Sequence, residues 1–170
     1  EPALTLAIAR QESHFDPGAQ SPAGALGLMQ VMPATGRAIA ERFGMPWSQQ
    51  SLHLDSHYNT QIGVRYLGML AERFDDRLEL MAAAYNAGPP RVTAWVARHG
   101  DPRTLDRYAL IDWIELIPFR ETRNYVQRVI EGRNVYREIL AEAVVQPVAF
   151  VLDTGPMIPP PIPQPKPQAY

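Results

Sequence analysis

The sequence has 170 residues, 46% of them hydrophobic and 20% charged, which suits one well-buried domain and excludes a fibrous, collagen-like or largely disordered chain. Sixteen basic against 18 acidic residues give a net charge of -2, so no overall basic footprint points to nucleic acid or to anionic membranes. The absence of cysteine excludes disulfides, thiolate nucleophiles and cysteine-ligated metals, and it is compatible with both cytosol and periplasm.

The start of the chain carries no recognisable targeting segment. No apolar run approaches the roughly 18 residues of a membrane-spanning helix, and no basic-then-apolar signal opens the sequence. Glu1 and Pro2 instead lead directly into an apolar helical pattern. We therefore expect a fragment or a processed form of a longer protein.

The first predicted helix runs from Pro2 to Gln11, and Glu12 closes it. The last turn of a helix carries the negative end of the helix dipole, so a carboxylate there costs a few tenths to about 1 kcal/mol. If Glu12 also faces an apolar cleft, desolvation raises its pKa. A carboxylic acid kept protonated near neutral pH is what general acid catalysis requires. The alternative for this motif alone is a solvated glutamate at a frayed helix end.

A passage rich in glycine, proline and serine follows, and Gly24 to Val31 is the one plausible place in it for extended pairing. Backbone exposed at Gly24 and Gly27 can approach a ligand closely. The Gln30 amide both donates and accepts hydrogen bonds, which suits the hydroxyl and acetamido groups of sugars. Met32 would add a soft apolar wall. The alternative is an ordinary irregular loop whose apolar residues lie in the core.

Helices dominate the rest of the sequence up to residue 144, with proline, glycine and aspartate at their ends. The predicted helices are Met32 to Phe43, Arg77 to Asn86, Arg91 to His99, Asp106 to Leu116, Phe119 to Val144, and one further helix that begins after Asp55. This last helix is amphipathic and carries on one face Ile62, Tyr66, Leu67, Leu70 and Phe74. No convincing strand repeat is present, so the predicted fold class is mostly α.

Three polar residues near predicted helix ends each have two interpretations. Asn86 precedes a glycine that ends a predicted helix, and taken by itself it is best interpreted as a helix cap. Taken by itself, Tyr85 is best interpreted as a core residue whose hydroxyl forms a hydrogen bond. Glu115 stands in an otherwise apolar run, and glutamate is rarely buried without a partner. It therefore either points outward or pairs with a group in a cleft.

The composition changes at the C-terminal end of the chain. Residues 147 to 170 hold eight of the 17 prolines. We predict a domain over residues 1–146 and an extended or disordered Pro-rich tail over 147–170. A Pro-x-x-P ligand for another protein is the alternative for this tail.

Four ordered blocks between residues 9 and about 130 resemble the soluble lytic transglycosylases. The blocks are Arg10-Gln11-Glu12-Ser13, Ser21-Pro22-x-Gly24-Ala25-x-Gly27-Leu28-Met29-Gln30-x-Met32-Pro33, Ala84-Tyr85-Asn86-Ala87-Gly88-Pro89, and Ile114-Glu115-x-Ile117-Pro118-Phe119-x-Glu121-Thr122-Arg123-x-Tyr125-Val126. Together they are far more specific than any one of them.

The resemblance implies a lysozyme-like, mostly helical domain with a catalytic cleft for peptidoglycan strands. Such enzymes cleave the β-1,4 bond between N-acetylmuramic acid and N-acetylglucosamine without water, by closing the muramyl O6 hydroxyl onto C1 to leave a 1,6-anhydro end. It implies that Glu12 is the single catalytic acid and base. Tyr125 matches the tyrosine of the last block, for which a structural role is one interpretation. The implied substrate-binding residues are Ser21, Gln30, Met32, Tyr85, Asn86 and Glu115.

The residues themselves support a mechanism with one carboxylate. Ordinary glycosidases use two, but only Glu12 has a distinctive setting, and Asp16 is explained as a turn residue. We expect Tyr85 and Gln30 to orient the 2-acetamido group or the sugar ring. The open alternatives are a goose-type lysozyme-like hydrolase, a peptidoglycan-binding module that has lost catalysis, and a helical interaction domain.

No metal or other cofactor is expected. The acidic residues do not take the spacing of a calcium loop, and the histidines show no paired ligand arrangement beyond His53 and His57. The implied partners are peptidoglycan glycan strands, with no nucleic acid, and cell-wall assembly partners would bind through regions outside this chain. A periplasmic or cell-envelope location follows from the substrate alone.

Overall fold

The structure is a computed structural model that describes residues 1–145. The predicted boundary at residue 146 and the Pro-rich tail over 147–170 lie outside the described residues. The described part consists of helices and their connecting loops, the longest of which runs over residues 14–32, and this confirms the predicted mostly α fold class. The α-helices are α1 Pro2–Ser13, α2 Pro33–Arg42, α3 Gln49–Leu54, α4 Ser56–Phe74, α5 Leu78–Ala87, α6 Pro89–His99, α7 Arg107–Glu115 and α8 Arg120–Val145, and a 3-10 turn, Pro102–Thr104, precedes α7.

Local signals place most helix ends correctly. The Asp55 side chain accepts hydrogen bonds from the backbone N–H groups of His57 and Tyr58, as an N-cap does. Gly88 ends α5, and the prolines after it begin α6. Helix α3 was not predicted, because its six residues are too few to show a helical period.

Helices α1 and α8 form the main contact of the domain and run antiparallel. Glu1 contacts Arg133, Ala7 lies next to Gly132, and Glu12 contacts Tyr125. The residue numbers therefore rise along α1 as they fall along α8. The two helices approach closely in the middle, since a Cβ added at Gly132 would lie 3.3 Å from the Ala7 Cβ. This packing sets the C-terminal end of α1 against the first turns of α8.

The loop between α1 and α2 is held by short backbone pairings rather than by strands. Leu26 forms isolated antiparallel bridges with Gln20 and with Val31, which confirms the extended pairing predicted there. Within residues 1–145, no helix is both long enough and apolar enough to cross a membrane.

Candidate active site

Two adjoining cavities form one cleft beside the C-terminal end of α1. The first, the Glu12 cavity, has a volume of about 400 Å³, and Glu12, Gln30 and Asn86 are among the residues that line it. The second, the Tyr85 cavity, has a volume of about 240 Å³ and is lined by Gln30, Tyr85 and Asn86 among others. Because Gln30 and Asn86 border both cavities, the two form a continuous surface.

Glu12 lies in the last turn of α1, where the sequence places it. The Tyr125 hydroxyl donates a hydrogen bond to Glu12 Oε1 at 2.6 Å. Burial raises the pKa of Glu12 to about 7, the hydrogen bond from Tyr125 opposes that rise, and the negative charge of Glu121 adds to it. Burial rather than the helix end is thus the main cause of the raised pKa. A carboxyl group with this pKa can donate a proton at neutral pH and accept one afterwards.

The end of α1 is tied to the loop that follows it. The buried Ser13 hydroxyl bonds to the Leu28 carbonyl at 2.7 Å and to the Ala9 carbonyl at 3.1 Å. Ser21, which lines the Glu12 cavity, accepts a hydrogen bond from the Ala25 N–H at 2.9 Å through its side chain. These contacts hold the loop at a defined position next to Glu12.

Asn59 of α4 is a structural residue of the site that sequence reasoning missed. Its side chain is buried, accepts from the Met29 N–H at 2.8 Å and donates to the Leu26 and Leu52 carbonyls at 2.9 and 2.7 Å. A buried polar residue in the otherwise apolar face of a predicted helix is the signal that could have revealed it. The Asn59 amide thus supports this loop together with the backbone pairings of Leu26.

Gln30 adopts a left-handed backbone conformation, with φ at 47°. Its side-chain nitrogen donates to the Ala19 carbonyl at 3.0 Å and to the Gly27 carbonyl at 2.9 Å. The amide nitrogen therefore stabilises the loop, and the side-chain oxygen is the atom of Gln30 that can meet a substrate. Met32, 42% exposed, lines the adjoining Tyr85 cavity and can provide the expected apolar wall.

Tyr85 combines both roles that the sequence suggested for it. Its hydroxyl donates to the Met29 carbonyl at 2.8 Å, while its ring lines the cleft. Tyr66 of α4 packs against it with ring centroids 5.4 Å apart and lines the same cavity. Burial raises the pKa of Tyr85 well above its ordinary value, and the charge of Glu12 adds to the rise. The Tyr85 phenol is therefore neutral at any physiological pH.

Asn86 connects α5 to α8 instead of capping α5. Its side-chain oxygen accepts a hydrogen bond from the buried Thr122 hydroxyl at 2.7 Å. The capping interpretation of Asn86 is wrong, because α5 continues to Ala87 and Gly88 takes the cap position. Asn86 thus lines the cleft from a position that α8 fixes.

Glu121 is a second carboxylate on the wall of the Glu12 cavity. Its charge helps to raise the pKa of Glu12, so the two carboxyl groups interact. Glu121 and Tyr125 are four residues apart in α8 and therefore share a helix face. That spacing, within the last sequence block, is the signal that could have predicted Glu121 as a cleft residue.

Glu115 is the one predicted site residue that the structure does not bring to the cleft. It is exposed at the end of α7, accepts from the Gln127 side chain at 3.0 Å and lies 3.9 Å from Arg123. It lines a separate, largely apolar cavity with Ile111 and Ile114. The outward interpretation of Glu115 therefore holds in this structure. The other predicted residues border the cleft: Glu12, Ser21, Gln30, Met32, Tyr85 and Asn86.

Comparisons with a family model and with known proteins all point to lytic transglycosylases. The family model of the transglycosylase SLT domain matches residues 1–106. The soluble lytic murein transglycosylase of Escherichia coli K12 is 38% identical over 138 residues, which is 81% of this chain and 21% of that protein. A putative soluble lytic murein transglycosylase of Haemophilus influenzae is 39% identical over 137 residues, 81% of this chain and 22% of that protein. The chain thus spans about a fifth of the length of these curated relatives.

Solved structures show the same fold. The 70 kDa soluble lytic transglycosylase of Escherichia coli matches with a TM-score of 0.74 at 38% identity, over 82% of this chain and 22% of that chain. An inactive glutamate-to-glutamine mutant of the lytic transglycosylase Slt of Pseudomonas aeruginosa matches with a TM-score of 0.73 at 39% identity, over 83% and 22%. These matches confirm the expected lysozyme-like helical fold. With the family model matching well over half of its residues, the chain belongs to the transglycosylase SLT domain family.

Proposed function

We propose that this chain is the catalytic domain of a peptidoglycan lytic transglycosylase, with Glu12 as its acid and then its base. The observation that carries the proposal is the Glu12 carboxyl group, with a pKa of about 7, on the wall of a cleft that the other matched residues border. A carboxyl group of ordinary pKa would be ionised at neutral pH and could not act as the acid.

In the first step, protonated Glu12 gives its proton to the oxygen of the β-1,4 bond between N-acetylmuramic acid and N-acetylglucosamine. The bond from C1 to that oxygen breaks, the N-acetylglucosamine side leaves as an alcohol, and positive charge develops at C1. The substrate's own 2-acetamido group stabilises that charge. Tyr125, which donates to Glu12 Oε1, is a positioning residue that stabilises the carboxylate as it forms.

In the second step, ionised Glu12 takes the proton of the muramyl O6 hydroxyl. The O6 atom then bonds to C1, which closes the 1,6-anhydro ring and returns Glu12 to its protonated state. No water is consumed, and one carboxyl group serves both steps. A pKa near 7 suits this double use, since both forms of Glu12 are then accessible at neutral pH.

Gln30 and Tyr85 would orient the acetamido group of the substrate through their side-chain oxygens, which act as hydrogen-bond acceptors. The Gln30 nitrogen and the Tyr85 hydroxyl proton are already used by backbone carbonyls of the loop. Their oxygens are left to accept a hydrogen bond from the acetamido N–H. Ser21, Met32 and Asn86 are proposed to contact the sugar rings, and Glu115 is proposed as a substrate residue only through its place in the last sequence block.

Two relatives support this assignment. The Pseudomonas aeruginosa lytic transglycosylase is inactive with one glutamate changed to glutamine. A 70 kDa soluble lytic transglycosylase, 37% identical to this chain, has been solved in complex with bulgecin A. We therefore propose bulgecin A as a ligand for the cleft of this chain, and a periplasmic or cell-envelope location where peptidoglycan lies.

The decisive test is the product released from purified peptidoglycan by the unmodified protein and by Glu12→Gln. We expect 1,6-anhydromuropeptides, each one water lighter than the reducing-end sugar, and a loss of about 10²- to 10⁴-fold in kcat for the variant. Glu138→Gln, which changes an exposed carboxyl group of α8 outside the cleft, should keep full activity. Normal activity of Glu12→Gln would exclude Glu12 as the acid.

A goose-type lysozyme-like hydrolase is the second candidate, and Glu121 is the observation that favours it. A second carboxylate on the same cavity wall could activate a water, as the base of an inverting glycosidase does. Mass spectrometry separates the two reactions, because hydrolysis leaves a reducing end. If Glu121→Gln abolishes activity and the parent product carries the added water, the hydrolase is the correct function.

A further inference from the structure

Thr122, in the first turn of α8, acts on the cleft without lining it. Its side chain is 2% exposed, and it belongs to the walls of neither the Glu12 cavity nor the Tyr85 cavity. Its hydroxyl donates a hydrogen bond to the Asn86 side-chain oxygen at 2.7 Å. Because Asn86 borders both cavities, Thr122 holds a residue at their junction.

This hydrogen bond differs from those of other helical threonines in the chain. The hydroxyl of a threonine in a helix can bond to the backbone carbonyl four residues earlier. Thr5, Thr60 and Thr93 do so, at distances of 3.3, 2.7 and 3.1 Å. Thr122 instead donates to a side chain of α5, 36 residues away in the sequence. Its proton therefore orients Asn86 rather than supporting its own helix.

The bond also fixes which atom of the Asn86 amide faces the cleft. The oxygen and the NH2 group of an amide lie on opposite sides of the same carbon, so the nitrogen points away when the oxygen points at Thr122. Within residues 1–145, the bond from Thr122 is the one hydrogen bond of the Asn86 side chain, and the one buried side-chain polar atom without a partner is Arg77 Nε. The Asn86 nitrogen is therefore accessible, with two N–H donors open to the cleft.

Hydrogen-bond donors are scarce at this junction. Gln30 uses its side-chain nitrogen, and Tyr85 uses its hydroxyl proton, on backbone carbonyls of the loop. The Tyr125 hydroxyl proton is used by Glu12. A sugar presents hydroxyl, ring and carbonyl oxygens, each of which accepts hydrogen bonds. The Asn86 nitrogen therefore supplies the donor that complements the acceptor oxygens around it.

We propose that Thr122 is a positioning residue of the cleft, which holds the Asn86 amide so that its nitrogen donates to an oxygen of the bound sugar. The inference rests on the proposed function, because the glycan must occupy the junction of the two cavities. Without the Thr122 hydroxyl, the amide is free to rotate and to present its oxygen beside the acceptors of Gln30 and Tyr85. The sugar oxygen then meets another acceptor, so the glycan binds more weakly.

The test compares two variants that differ in one hydroxyl group. Thr122→Val is close to threonine in shape and lacks the hydroxyl, whereas Thr122→Ser keeps it. Binding of soluble glycan strands is measured on the Glu12→Gln background, which does not cleave its ligand. We expect Thr122→Val to weaken binding by about 3- to 10-fold, the effect of one hydrogen bond. Thr122→Ser should bind as tightly as the Glu12→Gln protein itself.

Turnover of the active protein gives a readout that a merely structural role would not produce. The bond from Asn86 to a sugar oxygen is made alike in the ground state and in the transition state. Thr122→Val should therefore raise KM by about 3- to 10-fold and leave kcat nearly unchanged. Thr93→Val changes an exposed threonine of α6 that lines neither cavity. It is the matched control, and both of its kinetic constants should equal those of the parent.

Variants of Asn86 test whether Thr122 acts through the amide. Asn86→Asp keeps an oxygen for the Thr122 hydroxyl and replaces the nitrogen with a second oxygen, so it should bind glycan at least as weakly as Thr122→Val. Asn86→Ala should also weaken binding. Thr122→Val should cause no further loss in the Asn86→Ala background, because the two residues act as one unit.

The outcomes separate this inference from the function on which it rests. Equal glycan affinity of Thr122→Val and its background overturns the positioning role and leaves the transglycosylase proposal intact. Tight binding by Asn86→Asp overturns it as well, because Asn86 is then no donor. A loss that Thr122→Ser shares, or that persists in Asn86→Ala, assigns Thr122 to packing and also overturns it. If the Glu12→Gln protein binds no glycan at all, the proposed function fails, and the positioning role fails with it.

Discussion

The carboxyl group of Glu12 lies between two neighbours that act on its pKa in opposite directions. Tyr125 donates a hydrogen bond that favours the ionised form, while the negative charge of Glu121 disfavours it. Burial is larger than either effect and keeps the pKa at about 7. The protonation state of Glu12 thus depends on burial and on two residues of α8.

Substitution of these two neighbours should move the pH profile in opposite directions. The value of kcat/KM is expected to decline above about pH 7, as Glu12 loses its proton. Tyr125→Phe removes the stabilising donor, so the pKa of Glu12 rises and the decline moves to higher pH, with kcat lowered about tenfold by poorer orientation. Glu121→Gln removes the repulsion, so the decline moves to lower pH.

A pH–rate series on anhydro-product release checks this pair. Tyr108→Phe changes a tyrosine that is 80% exposed and should leave the profile as it is. Shifts of the same sign in Tyr125→Phe and Glu121→Gln would contradict the assignment of Glu12 as the titrating group.

At the scale of an element, the loop between α1 and α2 owes its shape to backbone conformations that only some residues adopt. Gly24 has φ at 89° and Gly27 has φ at 70°. A Cβ at Gly27 would lie 2.5 Å from Asn59 Nδ2 and 2.7 Å from the Leu52 carbonyl oxygen, whereas a Cβ at Gly24 would meet nothing within 4 Å. The close approach that the sequence suggested for these glycines is thus made to α4 at Gly27.

The two glycines therefore form a matched pair for mutation. Gly24→Ala should lower the free energy of unfolding by about 1 to 2 kcal/mol, the cost of a left-handed alanine. Gly27→Ala adds a clash with the buried Asn59 amide and should cost about 2 to 5 kcal/mol. Urea denaturation at neutral pH measures both. Equal losses would show that Asn59 does not hold the loop as described.

At the scale of the whole molecule, the site depends on the antiparallel contact of α1 and α8. That contact joins Glu12 to Tyr125 across 113 residues of sequence. It buries the Glu12 carboxyl group, whose ionised form is better solvated in water, so the ionisation of Glu12 destabilises the folded protein. We expect this cost to appear in the stability of the protein.

The stability of the domain should fall as pH rises through the range set by Glu12. Between its ordinary pKa of 4.5 and its folded pKa of about 7, the folded state binds a proton that the unfolded state has released. The free energy of unfolding therefore decreases as pH rises across this window. Glu12→Gln abolishes that contribution, so it should stabilise the protein by about 1 to 3 kcal/mol at pH 8 and hardly at all at pH 4.

Urea denaturation of the parent and of Glu12→Gln at pH 4 and pH 8 provides the check. Glu138→Gln, on the exposed side of α8, should show no such pH-dependent difference. A Glu12→Gln protein that is no more stable than the parent at pH 8 would mean that Glu12 is not destabilised by burial.

The sequence by itself determined every described α-helix except α3, most of the helix caps, and Glu12 as the candidate catalytic residue. These features depend on neighbours within about four residues: apolar spacing, Asp55 as a cap, and glycine at turns. The four blocks also predicted which residues would line the cleft, and all but Glu115 do so. The short helix α3 was missed because six residues do not show a period.

Only the tertiary structure decided the chemistry around Glu12. A pKa depends on burial and on charges brought close by packing, and Tyr125 and Glu121 reach Glu12 only because α8 lies against α1. The same packing turned Asn86 from a cap into a contact with Thr122 and left Glu115 on a separate surface. Local sequence patterns do not predict such long-range contacts. They could therefore indicate that Glu12 lies at an electrostatically unfavourable helix end, but not which surroundings raise its pKa.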